Sequence, residues 1–186
     1  MPEKDQWESY FSPLEIFKKF ALDSNAGPIL DFACGFGTFA IPLAKITKKQ
    51  IYCVDINSDY LKLLQTSIEK NKINNVSVMN IDIFDKAFTL PEPMSAILLF
   101  NILHCENPQI IIKKLAKFLK KNGEIFVIHW RSDIETPRGP SLDIRPKPEE
   151  IITLMNSLGF EKKFFDPEIS SYHYGISFKI KGEKND

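Results

Sequence analysis

The residues with the greatest chemical reach sit in one turn and at the ends of apolar runs. Ile29-Leu30-Asp31-Phe32 leads into Ala33-Cys34-Gly35-Phe36-Gly37, and a segment of helical period follows from about residue 38 to 48. A strand, then Gly35-x-Gly37-x-x-Ala40, then a helix lets backbone approach a ligand closely and aims the free N–H groups of a helix start at it. Asp55 comes 18 residues after Gly37 and ends the next apolar run, Ile51-Tyr52-Cys53-Val54. A carboxylate so placed can accept hydrogen bonds from both hydroxyls of a ribose. Turn and acid together point to an adenosine-bearing ligand.

Two further carboxylates discriminate among such ligands. Asp31 falls just before the glycine turn, where its charge repels a pyrophosphate and attracts the amino group of an amino-acid-bearing ligand such as S-adenosylmethionine. That argues against NAD. Asp82 closes a third run within Asn80-Ile81-Asp82-Ile83-Phe84, placed to accept from an adenine amino group, with Ile83 and Ile56 as apolar walls. These positions all fall at the carboxyl ends of strands, the edge of an open α/β sheet where ligands bind.

The elements that must hold these residues are legible as an alternation of apolar β-branched runs and helical periods, which predicts a parallel sheet covered by helices on both faces. Ser12-Pro13-Leu14-Glu15 opens a helix over 13–22, and Pro42 belongs in the first turn of the helix after the glycines. Asn57 or Ser58 caps a helix whose inner face is Leu61, Leu64 and Ile68, and residues 96–100 form an unbroken apolar strand. Asn107-Pro108 begins a helix carrying Ile111, Leu115, Phe118 and Leu119, which Asn122-Gly123 should stop. Its lysines read as a solvated face. Residues 125–128 make a fifth strand, 131–146 a long proline-bearing loop, and Pro148 opens a helix with Ile151, Leu154, Met155 and Leu158 inward. Segments 160–165 and 172–180, joined by 166–171, have no helix between them and must pair antiparallel.

The 186 residues carry 24 Lys+Arg against 24 Asp+Glu, so no broad basic field favours nucleic acid. One domain is expected over 1–186, with 1–22 supplying an N-terminal helix and a candidate lid. Cys34, Cys53 and Cys105 are an odd set without CxxC spacing, which argues against a disulfide scaffold, a dithiol site or a metal centre and for a reducing, cytoplasmic setting. A charged start and the lack of an 18-residue apolar stretch argue against a secretory signal and a membrane span.

Residues 29–38, Ile-Leu-Asp-Phe-Ala-Cys-Gly-Phe-Gly-Thr, resemble the first motif of class I S-adenosylmethionine-dependent methyltransferases. Val54-Asp55-Ile56 resembles the acidic motif of the second strand, Ile81-Asp82-Ile83 that of the third, and Phe100-Asn101-Ile102-Leu103-His104 the segment after the fourth. The resemblance spans about residues 13 to 180. It implies a Rossmann-like doubly wound α/β sheet of seven strands, five parallel plus a C-terminal antiparallel hairpin, in the order 3-2-1-4-5-7-6. It also implies S-adenosylmethionine as cofactor and S-adenosylhomocysteine as product, with contacts at Asp31, Ala33, Gly35, Gly37, Asp55, Ile56, Asp82, Ile83 and Asn101. Within the class the chain is similar to the small-molecule branch that holds ubiquinone/menaquinone-type and arsenite methyltransferases. Two scattered cysteines do not reproduce an arsenic-binding constellation, and Asn101-Ile102-Leu103-His104 lacks the Pro-Pro-aromatic sequence of many enzymes that methylate adenine or amide nitrogen.

The expected reaction is methyl transfer to a small molecule, with no nucleic-acid partner, by a monomer or homodimer. His104, just past the fourth strand, is the first candidate for a proton acceptor, while His129 and His173 read as structural. Trp7, Tyr10, His104 and Arg131 are the substrate candidates, because the N-terminal aromatics and the arginine-bearing 131–146 loop can close over the site. Two alternatives remain: a NAD-dependent oxidoreductase using the same turn, and a methyltransferase-fold binding subunit without turnover.

Overall fold

In the computed structural model, which describes residues 4–22 and 27–182, the apolar runs become one sheet. Its strands are β1 (Ile29–Phe32), β2 (Ile51–Asp55), β3 (Val76–Asn80), β4 (Met94–Phe100), β5 (Leu119–Trp130), β6 (Phe160–Ser170) and β7 (His173–Ile180). They lie in the order β3-β2-β1-β4-β5-β7-β6, as the resemblance implies. β1 pairs parallel with β2 on one side and β4 on the other, and β7 enters antiparallel between β5 and β6.

Helices α1 (Lys4–Glu8), α2 (Pro13–Lys19), α3 (Ala40–Ile46), α4 (Ser58–Lys70), α5 (Pro108–Ala116) and α6 (Pro148–Ser157) cover the two faces. α1 to α4 build one core around Trp7, Phe17, Leu43, Leu61 and Leu64, which meets Leu98, Phe126 and Trp130 from the sheet. α5 and α6 build the other with Ile112, Leu115, Ile151 and Met155 against Leu30, Ile97 and Val127. Side chains of β4 alternate between the two cores, which is why that run has no polar face. The Asn57 side chain caps α4, accepting from Asp59 N and Tyr60 N. Among the described residues no helix is long and apolar enough to cross a membrane.

Five elements depart from the sequence reading. α5 ends at Ala116, so Phe118 and Leu119 leave the helix and β5 already begins at Leu119, paired with Met94. The Asn122-Gly123 signal is realised as a bulge, since the next pair is Ala96 with Glu124. β6 likewise extends through Pro167 to Ser170, with a bulge after Asp166 where proline has no N–H to offer the ladder. α2 is shorter than expected, and Ser12 makes no side-chain capping bond. The sequence reading missed α1, whose Trp7 packs beside Phe11 and Trp130, with ring centroids 5.0 Å and 6.0 Å away.

The 131–146 segment, a strap across the carboxyl end of β5, is organised by one buried cation. Arg145 donates from Nε to Pro140 O at 2.9 Å, from Nη1 to Arg131 O at 2.8 Å and from Nη2 to Thr136 Oγ1 at 2.8 Å. Its guanidinium lies over the Trp130 ring, 5.5 Å from the centroid. Gly139, at φ +114, allows the strap to lie on that indole; a Cβ there would stand 3.0 Å from Trp130 Cδ2 and Cε2. Arg145→Met keeps an apolar stem and removes every donor, so it should destabilise the protein by about 1–3 kcal/mol. Urea denaturation followed by tryptophan fluorescence measures this; an unchanged midpoint would show that the strap does not need the guanidinium.

Candidate active site

The parallel strands end on a common edge, and there the chain forms a half-open cavity of about 670 Å³. Asp31 and Ala33 reach it from β1, Asp55 and Ile56 from β2, Phe100 and Asn101 from β4, and Trp130 from β5. Trp7 of α1 and Arg138, Gly139 and Pro140 of the strap complete the wall, so both segments expected to cover the site do line it. Residues 1–3, at the head of the candidate lid, lie outside the described residues.

Asp31 is the most demanding group. In register it lies between Cys53 and Leu98, it is 3% exposed, and its Oδ2 has no hydrogen-bond partner. Burial, then the neighbouring charge of Asp55, raise its pKa from 3.8 to about 7, with the Ala40 backbone pulling the other way. A buried oxygen in this state calls for a cationic donor. Asn101 presents a second unmet demand, for both its Oδ1 and its Nδ2 are buried without partners. Ala33 and Asn101 hold left-handed backbone, φ 58 and 56, where β1 and β4 meet the cavity. A side-chain-bearing residue occupies that region only at a cost, and here the strain turns the chain ends at the site.

Asp55 organises the glycine turn. One carboxylate oxygen accepts from Gly35 N and the other from Asn57 N, each at 2.8 Å. Lone pairs remain on both oxygens for hydroxyl donors. Gly37 lies behind this turn at φ +84, and a Cβ there would stand 2.4 Å from Leu64 Cδ1 of α4. Its contribution is thus close packing of the turn on the helix as well as backbone freedom.

Six expected residues are absent from the cavity wall: Gly35 and Gly37 of the turn, and Asp82, Ile83, Tyr10 and Arg131. Asp82 is exposed and its Oδ1 accepts from Phe84 N at 2.8 Å, because the chain turns directly after β3. Ile83 points into the second core, and its carbonyl accepts from Lys114 Nζ at 3.1 Å. Tyr10 packs its ring against Trp130 and Tyr172, with centroids 5.7 Å and 5.5 Å away. Arg131 is spent on Asp133 and Glu168.

His104 lines the cavity, and its Nδ1 lies 3.2 Å from His129 Nε2. Burial lowers the pKa of His104 below its ordinary 6.5. Burial and then the charge of His104 hold His129 at about 3. Both imidazoles are therefore neutral near pH 7. His173 faces the aromatic side beside Trp130, as the structural reading expected, and burial first of all lowers it to about 3. Cys34 reaches the cavity, but the adjoining Cys53 sulfur and burial push its thiol strongly upward, so it stays protonated and packs. No cluster among the described residues has the make-up of a metal site.

Sequence reasoning missed Thr38, Phe39, Tyr60 and Trp130 on the cavity wall. Trp130 could have been found from its place at the carboxyl end of the fifth strand. Thr38 closes the first motif and could have been found there, whereas Phe39 and Tyr60 had no local signal, since an aromatic near a helix looks the same whether it meets a core or a cavity.

A family profile described as a methyltransferase domain matches residues 29–123, just over half of the chain. (S)-Coclaurine N-methyltransferase of Papaver somniferum is 26% identical over 124 residues, which is 66% of this chain and 35% of that protein. A tRNA (guanine(37)-N(1))-methyltransferase of Heterostelium pallidum is 30% identical over 57 residues, 31% of this chain and 13% of that protein. The chain thus spans about a third or less of the length of these curated relatives. Among solved structures, that of a SAM dependent methyltransferase from Aquifex aeolicus matches with a TM-score of 0.82 over 96% of this chain and 94% of that one, at 20% identity, which is likeness of fold. The matched stretch runs from the first residue of β1 into β5 and holds the glycine turn, Asp55, Asn101 and His104, and on that match the chain belongs to the methyltransferase domain family.

Proposed function

We propose that this chain transfers a methyl group from S-adenosylmethionine to a small-molecule acceptor and releases S-adenosylhomocysteine. The observation that carries the reading is the buried, unpartnered Oδ2 of Asp31 on the wall of a cavity that Asp55 also lines. An amino-acid-bearing adenosine cofactor offers the ammonium that Asp31 lacks and the ribose hydroxyls that Asp55 can hold. A dinucleotide would bring a pyrophosphate to the same carboxylate. The enclosing aromatic wall and the even balance of charges favour a small acceptor over a nucleic acid.

When bound, the cofactor supplies an already electrophilic methyl carbon, so the chain has chiefly to bind, orient and exclude water. In this reading Asp31 takes the ammonium, Asp55 the ribose, Ile56 an apolar face of the adenosine, and the Asn101 amide the polar groups between. The glycine turn lets backbone lie close to the ligand. Trp7 and the strap keep water out. His104, neutral and facing the cavity, accepts the proton of an acceptor atom that carries one, and His129 Nε2 sets the orientation of its ring through Nδ1.

Calorimetry against S-adenosylmethionine, S-adenosylhomocysteine and NAD tests the reading, followed by a methylation screen of a metabolite extract. The two adenosyl compounds should bind and NAD should not; the reverse order would overturn it.

Two variants sharpen the test. Asp55→Ala should weaken S-adenosylhomocysteine binding by about 1–3 kcal/mol and also lower the denaturation midpoint, since Gly35 N and Asn57 N lose their acceptor. Equal affinity in a folded variant would remove Asp55 from the ribose. Asp31→Asn should do the opposite to stability. A raised folded pKa means that the native state holds the proton over the window from 3.8 to about 7, so the unliganded wild type loses stability as pH rises through it. The asparagine variant escapes that loss and should be more stable than wild type at pH 8 by on the order of 1–3 kcal/mol, with little difference at pH 4, while binding the cofactor at least about tenfold more weakly. A variant destabilised at pH 8 would mean that the carboxylate is satisfied in the unliganded protein.

A further inference from the structure

The chain has three arginines, Arg131, Arg138 and Arg145, and all three fall in the strap. Two are consumed in building it: Arg131 pairs with Asp133 and Glu168, and Arg145 gives its donors to two carbonyls and a hydroxyl. Arg138 is different. It lines the cavity, it is exposed, and no carboxylate among the described residues pairs with its guanidinium. Its backbone is fixed, because Thr136 Oγ1 donates to Arg138 O and the next residue, Gly139, lies against the Trp130 ring.

The wall on this side is aromatic. Trp7 and Trp130 have centroids 6.0 Å apart, and Phe39 meets Phe100 edge to face at 4.6 Å, all four bordering the same cavity. Such faces take a flat ring well. The acids of the cavity, Asp31 and Asp55, come from the ends of β1 and β2, where the proposed cofactor uses them. What remains for the acceptor is an apolar slot with one unspent planar cation. A cationic acceptor would meet that guanidinium and the sulfonium charge together, whereas a carboxylate matches the guanidinium fork bidentately.

Resting on the methyl-transfer reading, we propose that the acceptor is a small aromatic anion whose ring lies against the Trp7, Phe39, Phe100 and Trp130 wall and whose carboxylate pairs with Arg138. Arg138 is then the residue that determines acceptor class.

Both tryptophans of the chain border the cavity, so intrinsic fluorescence reports on this site. The protein, saturated with S-adenosylhomocysteine, is titrated with benzoate, salicylate, cinnamate and indole-3-acetate, each against its primary amide, and with benzylammonium. At least one acid should quench saturably and bind about tenfold or more tightly than its amide. Arg138→Gln should abolish that preference, and Arg138→Lys should keep part of it. Calorimetry of S-adenosylhomocysteine on Arg138→Gln should match wild type, which separates an acceptor carboxylate from the cofactor's own. Amides that equal their acids throughout, benzylammonium binding tighter than every acid, a preference that survives in Arg138→Gln, or a loss confined to S-adenosylhomocysteine would each overturn the assignment. If S-adenosylhomocysteine fails to bind wild type, the cofactor reading falls, and the comparison of acids with amides on the unliganded protein still decides whether Arg138 makes an anion subsite.

Discussion

A carboxylate set into the inner face of a parallel sheet, with one oxygen unmatched, constrains everything near it. Asp31 lies between buried neighbours on β2 and β4, so its Oδ2 finds no donor within the protein, and a ligand or a proton can supply one. A sheet in which such a group persists has to be stabilised elsewhere. The two cores do this, with Leu43, Leu64, Leu98, Ile112 and Met155 essentially buried on the faces away from the site. The site edge is the weakly satisfied part of a well-satisfied body, the distribution expected where binding and stability draw on the same residues.

The strap solves a second problem, how to wall a cavity with a segment that has almost no regular structure. Its backbone carbonyls need donors, and one arginine side chain supplies two of them while resting on an indole. Because Trp130 also touches the α1 side through Trp7, the strap and the N-terminal helix share one aromatic support. Closure from two directions therefore depends on one ring at the end of β5.

The histidines divide along the two faces of β5. His129 sits on the face of the second core and meets His104, which turns the pair toward the cavity, whereas His173 packs with Trp130 on the other face. Alternation along β5 turns His129 and Trp130 to opposite faces, and pairing with β7 sets His173 beside Trp130. One member of the trio borders the cavity, and burial lowers its pKa without any acidic partner.

Much of this was present in the sequence by itself. The strand runs, the Gly35-x-Gly37 turn, the Asn57 cap, the acids at strand ends and the antiparallel tail depend on local propensity, turn chemistry and the impossibility of a crossover helix, all of which act over a few residues. The tertiary structure decided the rest. Asn122-Gly123 signals a turn equally well at a helix end or within a bulge, and only pairing with β4 chooses. Both acids were expected at strand ends, yet Asp55 closes β2 and reaches back 20 residues to Gly35 N, while Asp82 lies two residues beyond β3 in an exposed turn. Three arginines in one loop are indistinguishable by type and spacing. Which of them is buried, which is paired and which faces the cavity follows from Trp130, Glu168 and Thr136, partners brought near by the sheet and the folded strap and carrying no mark of it in the linear order of residues.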